Sequence, residues 1–166
     1  MTTTMKRFTT ALIAALIIGG CGTEKVQAQR KGEFSLGARM TQYFRAKTFA
    51  LGIYGNYGIT RWLDIEPGIN FLCKDNSSVD IYCDLHLLLE VAETCYIYPI
   101  AGIGLSDMSS ESLGFDGWSF SGALGAGFNY RLNRRLTTSI QCKWIAQTAH
   151  RHRNPVSLSL GIEYAF

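Results

Sequence analysis

The sequence is short of charge, of proline and of long apolar runs. Charged residues make up 17% of its 166 residues although 47% are apolar, whereas an ordinary soluble domain carries roughly 25% charged residues. Beyond residue 30, the longest stretch without Asp, Glu, Lys or Arg is the 14 residues 117–130, too short for a transmembrane helix. Aromatic residues reach 12% and there are only 3 prolines, which excludes a disordered chain. The composition indicates one folded domain whose apolar residues do not form helical spans.

Residues 1–28 have the features of an export signal. Lys6 and Arg7 are followed by an apolar stretch over residues 8–18, and Val26 and Ala28 supply small residues at the −3 and −1 positions of a cleavage site. We therefore expect a signal peptide at 1–28 and a mature domain at 29–166. In an alternative interpretation, residues 18–21 resemble a lipobox and Cys21 becomes a lipidated N-terminus. Both interpretations predict export.

The charge balance gives no electrostatic reason to expect a nucleic-acid partner. Without residues 1–28, 13 basic and 12 acidic residues remain, a net charge of +1. A protein that binds DNA or RNA through its phosphates carries a basic patch or a strong excess of positive charge.

Apolar and polar residues alternate along the mature chain. The clearest example is the last eleven residues, where strict alternation is typical of a strand with one apolar face. The apolar set there is Val156, Leu158, Leu160, Ile162, Tyr164 and Phe166. Six further stretches show the same period, at 34–41, 49–59, 63–73, 79–90, 118–130 and 136–144.

An eighth strand is expected at 95–106, where bulky residues on both faces leave its phase open. The predicted connections alternate between short links and longer loops, which is typical of consecutive hairpins. The short links are at 61–62, 92–94 and 132–135, and the longer ones at 45–48, 74–78, 107–116 and 148–155. We predict an all-β, eight-stranded antiparallel up-and-down barrel, because closing such a sheet removes its exposed edges.

Two observations favour lipid outside this barrel over a secreted, lipocalin-like ligand-binding barrel with an apolar interior. The polar face is rich in Gly, Ser and Ala, which suits a lumen with little room for side chains. The apolar face carries aromatic residues at the strand ends, as in the girdles of membrane barrels. These are Trp62, Tyr130, Tyr164 and Phe166 near the short links, and Phe44, Phe49 and Trp118 near the loops.

The C-terminal residues Ser159, Gly161, Tyr164 and Phe166 resemble the assembly signal of bacterial outer-membrane proteins. With the export signal and eight strands, the chain resembles the small OmpA/OmpX-type, porin-like outer-membrane β-barrels of Gram-negative bacteria. The resemblance implies a monomeric transmembrane barrel in the cell outer membrane, inserted by the assembly machinery and surrounded by lipid and lipopolysaccharide. It also implies short turns in the periplasm and longer loops outside.

Charged residues on the predicted lumen face indicate a polar network of ion pairs and hydrogen bonds, because charges away from bulk water need partners. We assign to it Arg39, Asp64, Glu66, Asp84, His86, Lys143 and Glu163, together with Lys74, Asp80 and Glu90 on the same face. A mostly filled lumen points to a structural or porin-like protein. The alternative is a narrow passive pore for small solutes.

Other candidate sites carry little chemistry. The cluster His150, Arg151, His152 and Arg153 in the last loop offers a weak metal contact or a contact with anionic lipopolysaccharide, although a solvated basic loop is the simpler interpretation. No catalytic motif is present, so we expect neither enzyme activity nor a cofactor. Cys73 and Cys83 would face each other if their hairpin were centred on Ser78, and would not if it were centred on Ser77; we expect free thiols.

Overall fold

The chain folds into a closed antiparallel β-barrel, described by a computed structural model over residues 32–44, 47–73, 78–107, 118–147 and 155–166. The strands are β1 (Phe34–Tyr43), β2 (Thr48–Gly58), β3 (Leu63–Leu72), β4 (Ser78–Leu87), β5 (Leu89–Ala92), β6 (Cys95–Asp107), β7 (Trp118–Arg131), β8 (Leu136–Gln147) and β9 (Val156–Ala165). The segments β4 and β5 are two parts of one strand, interrupted at Leu88. The barrel therefore has eight strands, which confirms the predicted fold.

Each strand pairs with the next one along the chain, except that β4 and β5, the two parts of one strand, both pair with β6. β1 pairs with β9 to close the sheet. In the closing pair, Arg39 lies opposite Gly161 and Thr41 opposite Ser159. The side-chain hydroxyl oxygens of Thr41 (Oγ1) and Ser159 (Oγ) are 2.9 Å apart in the barrel interior. Closure gives the backbone groups of β1 and β9 partners on both sides, which a strand within a bilayer requires.

The alternation in the sequence becomes a division between exterior and interior. Large apolar side chains are exposed around the whole barrel, for example Met40, Ile53, Ile81, Leu105, Leu124 and Leu160. The lumen-facing positions are buried and mostly polar. This arrangement is the reverse of a lipocalin-like barrel, so the structure excludes the secreted, ligand-binding alternative.

The structure also fixes the phase of the strand that the sequence left open. Tyr96, Tyr98 and Ile100 point inward, whereas Ile97 and Ile103 are exposed. Two bulky positions of β6 thus belong to the lumen because the neighbouring strand β7 is small there: Tyr98 lies opposite Gly127 and Ile100 opposite Gly125.

The short link between β7 and β8 is held by one asparagine. Asn133 Oδ1 accepts hydrogen bonds from the backbone N–H groups of Arg135 at 2.9 Å and Leu136 at 2.8 Å. Asparagine stabilises turns in this way because its side chain replaces a backbone acceptor. This link matches the predicted range 132–135.

The structure settles a hairpin register that the sequence left open, and it corrects one local prediction. Phe71 lies opposite Val79 and Leu72 opposite Ser78, so the β3–β4 hairpin is centred near residue 75, on neither Ser77 nor Ser78, and Cys83 faces Pro67 rather than Cys73. The four cysteines of the described part are free. Glu90 does not join the lumen network, because all four residues of β5 are exposed at the short-link end of the barrel.

The described residues contain no helix that is long and apolar enough to cross a membrane.

The exposed apolar belt predicts how the barrel responds to charge on its outside. Ile53, in the middle of β2, is 59% exposed, and Ile59, just beyond the strand, is 38% exposed. We expect Ile53→Arg to destabilise the barrel in lipid vesicles by about 2–4 kcal/mol and Ile59→Arg by about 0–1 kcal/mol, because the cost of a charge falls toward the interface. Equilibrium unfolding in urea measures both. Equal costs for the two variants would contradict a membrane-spanning orientation with Ile53 near the midplane.

Candidate functional site

The barrel interior is the candidate site, because the structure brings the predicted lumen charges together there. Those charges are buried, and they are Arg39, Asp64, Glu66, Asp80, Asp84, His86, Lys143 and Glu163. Five of these residues lie on β3 and β4, whose polar faces are adjacent across the register Asp64–His86 and Glu66–Asp84. Lys74 lies outside the described residues.

Arg39 is the centre of the network. Its Nη2 lies 2.7 Å from Glu66 Oε1, and its Nη1 donates a hydrogen bond of 3.0 Å to Gln141 Oε1. Gln141 Nε2 in turn contacts Glu66 Oε2 at 3.3 Å and the Tyr98 hydroxyl at 3.2 Å. The guanidinium thus links β1 to β3 and β8 across the lumen, and Gln141 extends the network to β6.

Two tyrosines lie against the same guanidinium. The Arg39 Cζ atom is 3.9 Å from the centre of the Tyr54 ring and 5.4 Å from that of Tyr82. An aromatic face attracts a cation more strongly when both are shielded from water. The rings therefore stabilise the charge of Arg39 and also fill the space around it.

A second ion pair lies beside the first. Lys143 Nζ contacts Asp84 Oδ2 at 2.6 Å and lies 4.2 Å from the centre of the Tyr82 ring. Tyr82 thus lies close to both cations, so the two ion pairs share one aromatic side chain. A buried ion pair stabilises a fold only when its geometry is good and its other polar atoms have partners.

Interior glycines make room for these tyrosines. A Cβ atom at Gly37 or Gly161 would meet the Tyr54 ring, one at Gly68 would meet Tyr82, and one at Gly127 would meet Tyr98. An eight-stranded barrel is only just wide enough for its own side chains. The Gly-rich polar face noted in the sequence is therefore the complement of large inward-pointing tyrosines.

Near the longer loops, the lumen is closed by a mixed polar and apolar layer. Asp80 accepts hydrogen bonds of 2.7 Å from the Tyr43 hydroxyl and of 2.7 Å from Ser106 Oγ. Asn70 Nδ2 donates to the Tyr43 hydroxyl at 3.1 Å. Tyr43 also packs in a buried apolar cluster with Ala50, Leu72 and Ile145. This layer separates the charged centre from the loop end.

The charged centre is almost inaccessible to water. Exposure is 3% for Arg39, 2% for Glu66, 0% for Asp84 and 1% for His86. Side chains that line an open channel would be in contact with water. Within the described residues, the lumen is therefore filled by its own side chains.

Among the described residues the interior contains one histidine, His86, and it has no nucleophile to activate. His86 packs against the Tyr98 ring with centroids 4.6 Å apart. Neither of its ring nitrogens has a hydrogen-bond partner among the described residues. A serine or cysteine nucleophile would need a base within hydrogen-bonding distance.

The C-terminal motif residues divide between the two faces of β9. Ser159 and Gly161 are buried in the lumen, whereas Tyr164 and Phe166 are exposed on the outside. The Phe166 ring packs on Phe34 at 6.1 Å and on Tyr164 at 5.5 Å between centroids. The cluster His150–Arg153 lies outside the described residues.

Sequence reasoning missed the polar residues that complete the network. The alternation puts Tyr54, Asn70, Tyr82 and Gln141 on the polar face, where every side chain points into a closed space, but it gives none of them a role. The phase of Tyr98 is not readable from the alternation, because its strand is bulky on both faces.

Known structures share this fold. The chain matches the N-terminal β-barrel domain of Pseudomonas aeruginosa OprF with a TM-score of 0.67 and 14% identity, over 83% of this chain and 100% of that domain. It matches Neisserial surface protein A with a TM-score of 0.63 and 14% identity, over 81% of this chain and 96% of that one. It also matches a de novo designed transmembrane β-barrel with a TM-score of 0.62 and 14% identity, over 84% of this chain and 99% of that one.

The chain has the fold of small outer-membrane β-barrels. The predicted resemblance to OmpA/OmpX-type barrels is thereby confirmed for the fold, and the apolar exterior is of the kind that such proteins present to lipid. The sequence matches no protein-family model and no curated protein.

The fit between glycine and tyrosine can be tested within one strand. In β7, a Cβ at Gly127 would meet the Tyr98 ring, whereas a Cβ at Gly122 would meet nothing within 4 Å. We expect Gly127→Ala to destabilise the barrel by about 1–3 kcal/mol because it overpacks the lumen. Gly122→Ala should leave stability unchanged or raise it by about 0.5 kcal/mol. Urea unfolding in detergent micelles compares them, and similar effects would rule out a tightly packed lumen.

The central ion pair predicts strong coupling between its partners. Arg39→Met and Glu66→Gln should each cost about 3–5 kcal/mol, because each leaves one buried charge without its partner. The double variant should cost clearly less than the two single costs added together. The exposed Arg135, which donates a 2.9 Å hydrogen bond to the Tyr164 hydroxyl, is the matched control, and Arg135→Met should cost about 1 kcal/mol or less. Additive single costs would contradict a direct pair.

Proposed function

We propose that the chain is an integral outer-membrane protein whose barrel is structural and closed to solutes. The observation that carries the proposal is the burial of the charged centre, where Arg39, Glu66, Asp84 and Lys143 pair with one another. A porin needs a continuous hydrated path, and its lining residues remain exposed to water. The proposal includes no enzyme activity.

The exterior supports insertion into a lipid bilayer. Large apolar side chains on every strand are exposed, which a soluble protein of this size avoids. Aromatic residues lie at both ends of this belt, with Trp62, Tyr164 and Phe166 near the short links and Phe44 and Trp118 near the loops. Such girdles anchor membrane barrels at the two interfaces.

Export and assembly complete the proposal. Residues 1–28 direct export, with cleavage after Ala28, and the mature barrel spans 29–166. The C-terminal residues Ser159, Gly161, Tyr164 and Phe166 serve as the signal for the outer-membrane assembly machinery. Tyr164 near the end of β9 and Phe166 just beyond it are exposed side by side, where another protein can reach them before insertion. The barrel acts as a monomer surrounded by outer-membrane lipid and lipopolysaccharide.

A narrow pore is the second candidate, because polar side chains line the lumen from Asp80 to Asp64 and Glu163. Conduction along this line would require the two ion pairs to part and the Tyr43 layer to open. The two candidates therefore differ in whether the resting barrel carries current.

Planar lipid bilayers distinguish them. We expect the inserted barrel to show no unitary conductance in concentrated salt, because side chains occupy the lumen. Folding is checked on the same sample by the faster migration of unboiled protein in sodium dodecyl sulfate gels, and insertion by protection of the strands from protease. Discrete current steps from folded, inserted protein would overturn the closed barrel in favour of the narrow pore. A single band that never shifts on boiling would count against the membrane barrel as a whole.

A further inference from the structure

We propose that Glu66, Asp84 and His86 bind a divalent transition-metal ion of the zinc type inside the barrel. Glu66 on β3 lies opposite Asp84 on β4, and His86 follows two residues later on the same face. All three are buried, and one ligand atom from each lies within 4.8 Å of the others. This site goes beyond the structural role proposed above.

The first support is that two of the candidate ligands have free atoms. His86 Nδ1, His86 Nε2 and Asp84 Oδ1 are buried and have no hydrogen-bond partner within the described part of the chain. A buried polar atom without a partner costs free energy. A metal ion between the imidazole and the carboxylate would give a partner to one atom of each.

The second support is the charge of the lumen. The buried residues of the described part include five carboxylates, Asp64, Glu66, Asp80, Asp84 and Glu163, and only two cations, Arg39 and Lys143. A divalent ion reduces this excess of buried negative charge. Glu66 and Asp84 themselves are paired with Arg39 and Lys143, so the ion offsets the excess of the lumen as a whole.

The ligand types suit zinc. Zinc takes imidazole nitrogen and carboxylate oxygen at about 2 Å in a tetrahedral arrangement, often with water in the fourth position. Ligand atoms at that distance from a tetrahedral ion lie about 3.3 Å apart. The ligand atoms of Glu66, Asp84 and His86, which lie within 4.8 Å of one another, must therefore draw together around the ion. Gly102, opposite Asp84, leaves space for the Asp84 carboxylate, which a Cβ at that position would meet.

Lys143 and Arg39 compete with the metal for the same carboxylates. Lys143 Nζ contacts Asp84 Oδ2, so Asp84 Oδ1 is the oxygen that remains for the ion. Arg39 Nη2 contacts Glu66 Oε1, and Glu66 Oε2 accepts a longer hydrogen bond of 3.3 Å from Gln141 Nε2. Removing the Lys143 charge should therefore strengthen metal binding, which a merely adventitious surface ion would not show.

The experiment measures zinc in the folded full chain. Because the lumen is closed, the protein is refolded in detergent with zinc chloride, desalted, checked for the unboiled gel shift and analysed for zinc by atomic emission. We expect about one zinc ion per folded chain and a higher unfolding temperature than in protein refolded with a chelator. The His86→Gln variant should retain less than about one tenth of the zinc that the unaltered protein retains.

Two variants separate the lumen site from other sources of zinc binding. His150→Ser/His152→Ser removes the other two histidines of the chain, and we expect it to retain zinc as the unaltered protein does. Lys143→Met keeps all three ligands, and we expect about tenfold tighter binding or more in competition with a chelator, since a nearby cation is removed.

Three results would overturn the site. The first is a zinc content no higher than that of a barrel refolded without zinc. The second is loss of zinc in His150→Ser/His152→Ser with retention in His86→Gln, which would assign the metal to the loop. The third is unchanged affinity in folded Lys143→Met. The first result needs no variant, so it decides the matter also if His86→Gln or Lys143→Met fails to give the folded band.

Discussion

The structure depends on the requirement that backbone groups within a bilayer find partners in the protein itself. Lipid offers no hydrogen bonds, so a spanning sheet must close, and the β1–β9 pair does this here. Closure of eight strands sets a narrow interior. Every later feature follows from that width: which residues fit inside, which charges must pair, and why water has no path through the charged centre.

The side chains that fill the narrow interior match one another in shape and in charge. In shape, interior glycines such as Gly37 and Gly127 lie under the rings of Tyr54 and Tyr98. In charge, Arg39 pairs with Glu66 and Lys143 with Asp84, with Tyr82 near both cations. The low charge content of the chain is a consequence, since the outer face meets lipid and each interior charge needs space and a partner.

The period of two was sufficient to predict the strands, the barrel and the inward direction of the lumen charges, because side-chain direction depends only on position along a strand. The period could not predict which side chains would contact each other across the lumen. Arg39 and Gln141 are 102 residues apart and meet only because the tilt and stagger of the strands bring β1 and β8 to the same depth. The inward phase of Tyr98 likewise depended on Gly127 in the next strand. The register of the β3–β4 hairpin stayed open for a similar reason, since one residue of loop length moves every pairing in a hairpin.

The interruption at Leu88 gives the barrel an uneven end. Beyond it, β5 pairs with β6 alone among the described strands, whereas β4 is flanked on both sides by β3 and β6. The outer edge of β5 therefore presents backbone groups that hydrocarbon cannot solvate. Burying these unpaired backbone groups in the hydrocarbon of the membrane would be unfavourable. An edge of this kind is expected near the interface, where water can reach its backbone groups, and not within the hydrocarbon.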